Sequence, residues 1–160
     1  MSIEKVREYL APLGLEDRIR EFSVSSATVE LAAAALGVEG ARIAKSLSFR
    51  LGEGAVIVVA AGDVRVDNAK FKARFGEKAR MLSFEEAHNQ IGHDPGGVCP
   101  FALPPGVTAC LDVSLRRFET VFPAAGSANS AIELTCGELE RACANFGGWV
   151  DVCRERPKQA

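Results

Sequence analysis

The sequence predicts an α+β domain in which a mixed or barrel-like β-sheet is surrounded by short α-helices. Three observations carry that expectation. At 160 residues the chain has the size of one ordinary domain and can bury a full core without metal or disulfide staples. Strand-like runs and short helical segments follow one another irregularly, without the regular strand–helix alternation of a doubly wound parallel sheet. No shift in composition marks an internal boundary, so 1–160 is expected to be a single domain.

The elements follow in order. Ile3, Val6, Leu10 and Leu13 recur at helical spacing, and Gly14 can close that helix. Residues 19–24 read as a short strand. Thr28 can cap a helix over Val29–Leu36, stopped by Gly37. Two strands, Ile43–Leu51 and 55–61, flank a turn at Gly52-Glu53-Gly54, and Gly62-Asp63 ends the second. Asp67 can cap a short helix carrying Phe71 and Phe75, with Gly76 after it. Two capping boxes, Ser83 with Glu86 and Thr135 with Glu138, open further helices. The first ends near Gly92; the second turns Leu139, Ala142, Cys143 and Phe146 inward. Between them lie a Gly/Pro-rich loop (93–106) and strands near 107–112, 119–124 and 130–134. The polar tail, 154–160, is expected to fray.

Composition excludes several classes. Hydrophobic residues make up 48% and charged residues 25%, a soluble globular balance. The net charge of −2 and pI near 5.8 lack the basic excess of proteins that grip long duplexes by their phosphates. Any nucleic-acid contact should therefore be local, such as one strand end. Cysteines 99, 110, 136, 143 and 153 are odd in number and show no CxxC spacing. That argues against a disulfide framework or zinc site and suits a reducing cytosol. The first residues carry charges where a signal peptide needs an apolar core, and the apolar run 55–61 is too short to span a bilayer. A cytoplasmic protein with no membrane partner, no metal and no cofactor is expected.

Lys45 stands out within Ile43–Leu51. In a strand it shares a face with Ile43, Leu47, Phe49 and Leu51. An ammonium there must meet an anion or a carbonyl, or line a cleft, because an unpaired buried charge is costly. As a cleft residue it could hold a phosphate or an acyl oxygen. Alternatively the strand begins at Ser46 and Lys45 ends a preceding turn in solvent.

The stretch from His93 to Gly106 is the most chemically distinctive. Its glycines let backbone approach a ligand and can point consecutive N–H groups into one space, a nest for an oxyanion; otherwise they only serve turns. Cys99 would be a nucleophile if His93 or His88 were near, and is otherwise a small half-buried filler. His88 is expected to be partly buried and His93 to lie on a surface loop. Arg65, Lys70, Lys72, Arg74, Lys78 and Arg80 form a local basic stretch that either touches an RNA end or is a solvated face diluted by Asp63, Asp67 and Glu77.

The ordered set of features resembles one family, the YbaK-like aminoacyl-tRNA deacylases, whose domain also serves as the editing domain of many bacterial prolyl-tRNA synthetases. The resemblance runs from Ile19 to Phe146. It rests on Thr28 with its Ala-rich helix, Leu36-Gly37-Val38, Ile43-Ala44-Lys45-Ser46-Leu47, Ala61-Gly62-Asp63, Gly96-Gly97-Val98-Cys99-Pro100, Asp112, Gly126 and Ile132-Glu133-Leu134. It implies that family's fold and an editing hydrolase that removes a wrongly attached amino acid from tRNA. It further implies that Lys45 contacts the aminoacyl-adenosine end, that Gly96 to Pro100 position the ester, and that Gly126 borders the pocket. The candidate catalytic residues are Lys45, Gly96, Gly97, Val98 and Cys99. The candidate substrate-binding residues are Phe22, Thr28, Lys45, Phe49, Pro100, Phe101, Gly126 and Ala131. Implied partners are an aminoacyl-tRNA acceptor end and, as a candidate, an aminoacyl-tRNA synthetase.

An aminoacyl ester is already activated. A positioned water, donors for the developing oxyanion and a nearby cation suffice, and the substrate's ribose hydroxyl can help orient the water. Relatives specific for cysteine carry an acidic residue where this chain has Ala131, a hydroxylated aromatic where it has Phe22, and often serine where it has Cys99. Alanine or cysteine on proline tRNA is the leading substrate expectation. A binding module without turnover and a thiol hydrolase using Cys99 are the competing ones.

Overall fold

The structure, a computed structural model, describes residues 2–94 and 96–155. Pro95 of the glycine–proline loop and residues 156–160 of the tail lie outside the described residues. In chain order the elements are α1 (Ser2–Leu10), β1 (Ile19–Glu21), α2 (Val29–Leu36), β2 (Ile43–Leu51), β3 (Gly54–Ala61), β4 (Val64–Val66), α3 (Asn68–Phe75), α4 (Phe84–Glu86), β5 (Val107–Asp112), β6 (Thr120–Pro123), β7 (Ser130–Ile132), β8 (Leu134–Thr135), α5 (Cys136–Ala142), β9 (Phe146–Val150) and β10 (Cys153–Glu155).

The fold is α+β. A six-stranded mixed sheet in the order β8-β6-β2-β3-β5-β9 curls into a half-barrel, and the pairs β1–β7 and β4–β10 flank it. Its spine is the antiparallel hairpin β2–β3, with Lys45 opposite Ala60. Strand β5 runs parallel to β3, and β6 parallel to β2. All but the first residue of β3 are buried. A strand covered on both faces reads as a continuous apolar run, as 55–61 does.

Helix starts are fixed by local side chains. The Thr28 hydroxyl accepts from the Leu31 N–H (3.1 Å), and the Asp67 carboxylate from the Lys70 N–H (3.0 Å). Both capping boxes form: Ser83 with Glu86 and Thr135 with Glu138 exchange reciprocal bonds of 2.9–3.2 Å. Each cap satisfies donors that the helix itself cannot and contributes about 1 kcal/mol. Beyond α4 the chain continues as one π-helical turn, Ala87–Ile91. Under α3, Phe71 is fully buried with its ring 4.8 Å from Phe49 and 4.6 Å from Phe75.

Several boundaries differ from expectation. Strand β1 stops at Glu21 rather than residue 24, because past it Phe22 exchanges bonds with Asn129, outside β7. Phe146 does not face inward from α5. The helix ends at Ala142, and Asn145 adopts a left-handed φ of 51° while its amide donates to the carbonyls of Pro104 and Val107. Phe146 then opens β9 and is 37% exposed. Strands β4, β9 and β10 were not expected.

Candidate functional site

A cleft of about 250 Å³ opens between the start of α2, the first half of β2, the glycine loop and β7. Thr28, Lys45, Ser46, Gly96, Val98 and Ala131 line it. Five of these six come from the residues singled out in the sequence; Ser46 is the addition.

Lys45 lies inside β2, not before it, so the solvent alternative is overturned. It is half-buried, lines the cleft, and its ammonium donates to the Val64 carbonyl on β4. Both requirements for a cation on an apolar face, a carbonyl partner and a cleft, are therefore met. Asp63 is next to this carbonyl. Arg117, bonded to it at 2.9 and 2.5 Å, holds its carboxyl below the usual range, and Lys45 adds a smaller pull in the same direction.

Ser46 is the unforeseen residue. Its Oγ is, among the described residues, the one buried side-chain nitrogen or oxygen without a hydrogen-bond partner. The other hydroxyls in the lining are engaged. Thr28 caps α2, Ser26 donates to the carbonyls of Ala128 and Ser130, and Ser130 exchanges bonds with Ser127. No composition signal marks Ser46; only its position beside Lys45 hints at it.

The glycine loop divides its residues between two sides. Gly96 and Val98 line the cleft, and their N–H groups make no hydrogen bond among the described residues. The Gly97 N–H donates to the Asp94 carbonyl at 2.9 Å, so it is not free to meet an oxyanion. Gly97 instead packs backbone against backbone on Gly126: a Cβ there would sit 2.8 Å from Gly126 C and Ser127 N. Gly126 in turn lies against Ser2 and Val6 of α1. These two glycines border a neighbouring cavity of about 260 Å³ rather than the cleft.

The remaining candidates sit elsewhere. Phe49 and Phe101 are core side chains, Pro100 is buried with its carbonyl bonded to Ala144 N–H, and Phe22 is half-buried and does not line the cleft. Strand alternation and loop composition do not reveal which side such residues face.

Cys99 meets His93 but not as a nucleophile meets a base. His93 is fully buried, against the surface-loop expectation. Its Nε2 lies 2.8 Å from the Phe101 carbonyl, which can only accept, so Nε2 carries the proton. Its Nδ1 therefore accepts from the Ser2 hydroxyl. The Cys99 sulfur, 3.5 Å from Nε2, thus faces a donor with no capacity to take its proton. Burial pushes that thiol up to about 12. It is a packing residue. His88 is exposed, correcting the partial burial expected, and pairs with Asp94 at 2.5 Å. The six cations from Arg65 to Arg80 are all exposed. No cluster of three metal-binding side chains occurs among the described residues, and no helix in them is long and apolar enough to cross a membrane.

A curled mixed sheet carrying a cleft with an inward lysine on one wall and a glycine loop on another defines a class of small editing domains. Residues 24–142 match the aminoacyl-tRNA editing domain family, and the chain belongs to that family. A Bacillus subtilis (strain 168) relative, the uncharacterized protein YwhH, is 53% identical over 158 residues, covering 97% of this chain and 99% of its own. A solved structure described as a proposed trans-editing enzyme for prolyl-tRNA synthetase superposes with a TM-score of 0.85 at 28% identity, covering 96% of this chain and 97% of that one. The crystal structure of hypothetical protein APE2540 gives 0.83 at 31%, covering 94% of this chain and 99% of that one. The domain's role is aminoacyl-tRNA editing.

Proposed function

We propose that the protein is a trans-editing hydrolase that deacylates mischarged aminoacyl-tRNA, with alanine or cysteine on proline tRNA as the leading substrates. The observation that carries this reading is the meeting of Lys45, Gly96 and Val98 on one cleft, the last two with N–H groups that make no hydrogen bond among the described residues. The small walls at Gly96, Ala124 and Ala131 suit a small amino-acid side chain. The terminal ribose and its ester enter from the open side.

In this reading the Gly96 and Val98 N–H groups receive the oxyanion that forms as water attacks the ester carbonyl, a task for preorganised donors. Lys45 supplies the positive charge near the acyl group. The ribose hydroxyl of the substrate serves as the proton relay, so no triad is required.

The test is release of amino acid from a panel of mischarged tRNAs by the purified chain. Deacylation of a small-amino-acid tRNA is expected, and Lys45→Ala should reduce it by about 100-fold while the circular dichroism spectrum is retained. No release across the panel at high enzyme concentration sinks the hydrolase. Saturable binding of a non-hydrolysable aminoacyl-adenosine analogue in that case would leave a binding module.

A further inference from the structure

We propose that Arg117 is a positioning residue for deacylation: it holds the Asp63 carboxylate in a two-pronged ion pair and so keeps that carboxylate from drawing the Lys45 ammonium off the cleft. The inference rests on the deacylase reading of the cleft and gives a task to a residue outside its lining.

Strand register brings the three charges together. Lys45 stands opposite Ala60, and Ala44 opposite Ala61, the last residue of β3. Gly62 and Asp63 turn the chain into β4, whose first residue, Val64, offers the carbonyl that accepts from the Lys45 ammonium. The carboxylate of this turn is thus one residue away from the group that Lys45 grips. Arg117 holds the Asp63 carboxyl below its usual range, and Lys45 adds a smaller pull through space, which puts the two within each other's field.

A charge-assisted bond to a carboxylate is stronger than one to a neutral carbonyl, so an unengaged Asp63 would compete with Val64 for the ammonium. Arg117 engages it. Its Nη1 and Nη2 donate to the two carboxylate oxygens at 2.9 and 2.5 Å. The guanidinium is itself fixed: Nε donates to the Ser114 carbonyl at 2.9 Å, and the group lies 4.9 Å from the centre of the Phe118 ring. The 3-10 turn that carries it, Val113–Arg117, is tied to the end of β3, because the Ser114 hydroxyl accepts from the Ala61 N–H at 3.2 Å. Asp112 and Glu155 act on Arg117 more weakly, and Asp112 commits its oxygens to the Ser114 and Val152 N–H groups. With side chains 43% and 42% exposed, the Arg117–Asp63 pair contributes only modestly to stability. Its larger consequence is where it leaves the carboxylate.

The experiment compares the wild type with Arg117→Ala, Arg117→Lys, Asp63→Asn and the double variant Arg117→Ala/Asp63→Asn. Two quantities are read: kcat/KM on a mischarged tRNA, and the rate at which acetic anhydride acetylates Lys45, followed by peptide mass spectrometry against the exposed Lys72. Arg117→Ala should lower kcat/KM about fivefold and slow Lys45 acetylation about threefold, because a carboxylate partner favours the charged, unreactive ammonium. Arg117→Lys, which keeps a cation against Asp63, and Asp63→Asn should each stay within about twofold of wild type. The double variant should recover both quantities, since the competing charge is gone. A double variant as impaired as Arg117→Ala overturns the proposal and makes Arg117 a brace for the turn. So does an Arg117→Ala chain with undiminished kcat/KM, or one that acetylates Lys45 at the wild-type rate. Because acetylation is read without turnover, a chain that cleaves no ester refutes the hydrolase and leaves the contest for Lys45 to be judged by the labelling.

Discussion

A buried hydroxyl without a partner, such as Ser46 Oγ, ordinarily costs a fold about 1–3 kcal/mol. Ser46 also neighbours Lys45 within β2, so its side chain leaves the opposite face of the strand. Ser46→Ala is expected to leave the urea midpoint unchanged or raise it by up to about 1 kcal/mol equivalent, while deacylation stays within about twofold. A tenfold fall in deacylation at an unchanged midpoint would put the hydroxyl in the site after all. Cys99 should differ in stability. Its thiol is fully buried and beside the protonated nitrogen of His93, so Cys99→Ala should keep activity within about twofold and cost stability through lost packing. Loss of hydrolysis in a folded Cys99→Ala would restore the thiol mechanism. Lys45 was legible in the sequence because a charge on an apolar strand face breaks the pattern. Ser46 was not, because nothing local distinguishes a satisfied hydroxyl from an orphaned one. His93 was misread because its partners, Ser2 and Phe101, become visible only when α1 and the loop are folded together.

The glycine loop owes its position to α1 and to Gly126. A methyl group on Gly97 would lie 2.8 Å from backbone atoms of Gly126 and Ser127, and backbone cannot rotate away as a side chain can. Gly97→Ala should destabilise the fold by about 1–3 kcal/mol and lower kcat by shifting the neighbouring Gly96 and Val98 amides. Thermal melting alongside kinetics checks this, and an unshifted melt with full kcat would refute it. Elements that announce themselves locally were readable. Thr28, Asp67, Ser83 and Thr135 each open a helix as their cap signatures require, and Gly52-Glu53-Gly54 does turn β2 into β3. Strands that depend on distant partners were not. In β9, Gly147 presses against Thr108 and Cys110 of β5 so closely that a Cβ would fall 2.3 Å from the threonine methyl. Gly147, required by that contact, and Gly148, which adopts a φ of 107°, erase the β-forming pattern from Phe146–Val150. β4 and β10, three residues each, exist by pairing with one another across most of the chain.

The molecule as a whole should be most stable between about pH 6.5 and pH 9. On the acid side, burial holds His93 neutral and lowers its pKa from an ordinary 6.5, an effect the bond to Phe101 only partly offsets. The unfolded chain takes up that proton first, so the contribution of His93 is complete above 6.5 and is lost as pH falls below it. Carboxylates follow. Glu138, held down to about 2 chiefly by Arg18 and the Thr135 amide, and Asp63, held down chiefly by Arg117, stabilise the fold above the ordinary carboxylate range and lose that effect as pH falls through it. On the alkaline side, burial pushes Cys99, Cys143 and Cys153 up to about 12 from 9.0. The unfolded chain then loses thiol protons that the folded chain keeps, so their contribution is complete below 9 and declines as pH rises toward 12. Urea midpoints measured in reductant near pH 5, pH 7.5 and pH 10 should therefore peak at the middle value. His93→Gln, which fills the same space with a group that does not titrate, should shrink the drop toward pH 5 and leave the drop toward pH 10 intact. A wild-type midpoint as high near pH 5 as near pH 7.5 would mean that His93 accepts a proton in place, and the Ser2–His93–Phe101 link between α1 and the glycine loop would have to be redrawn.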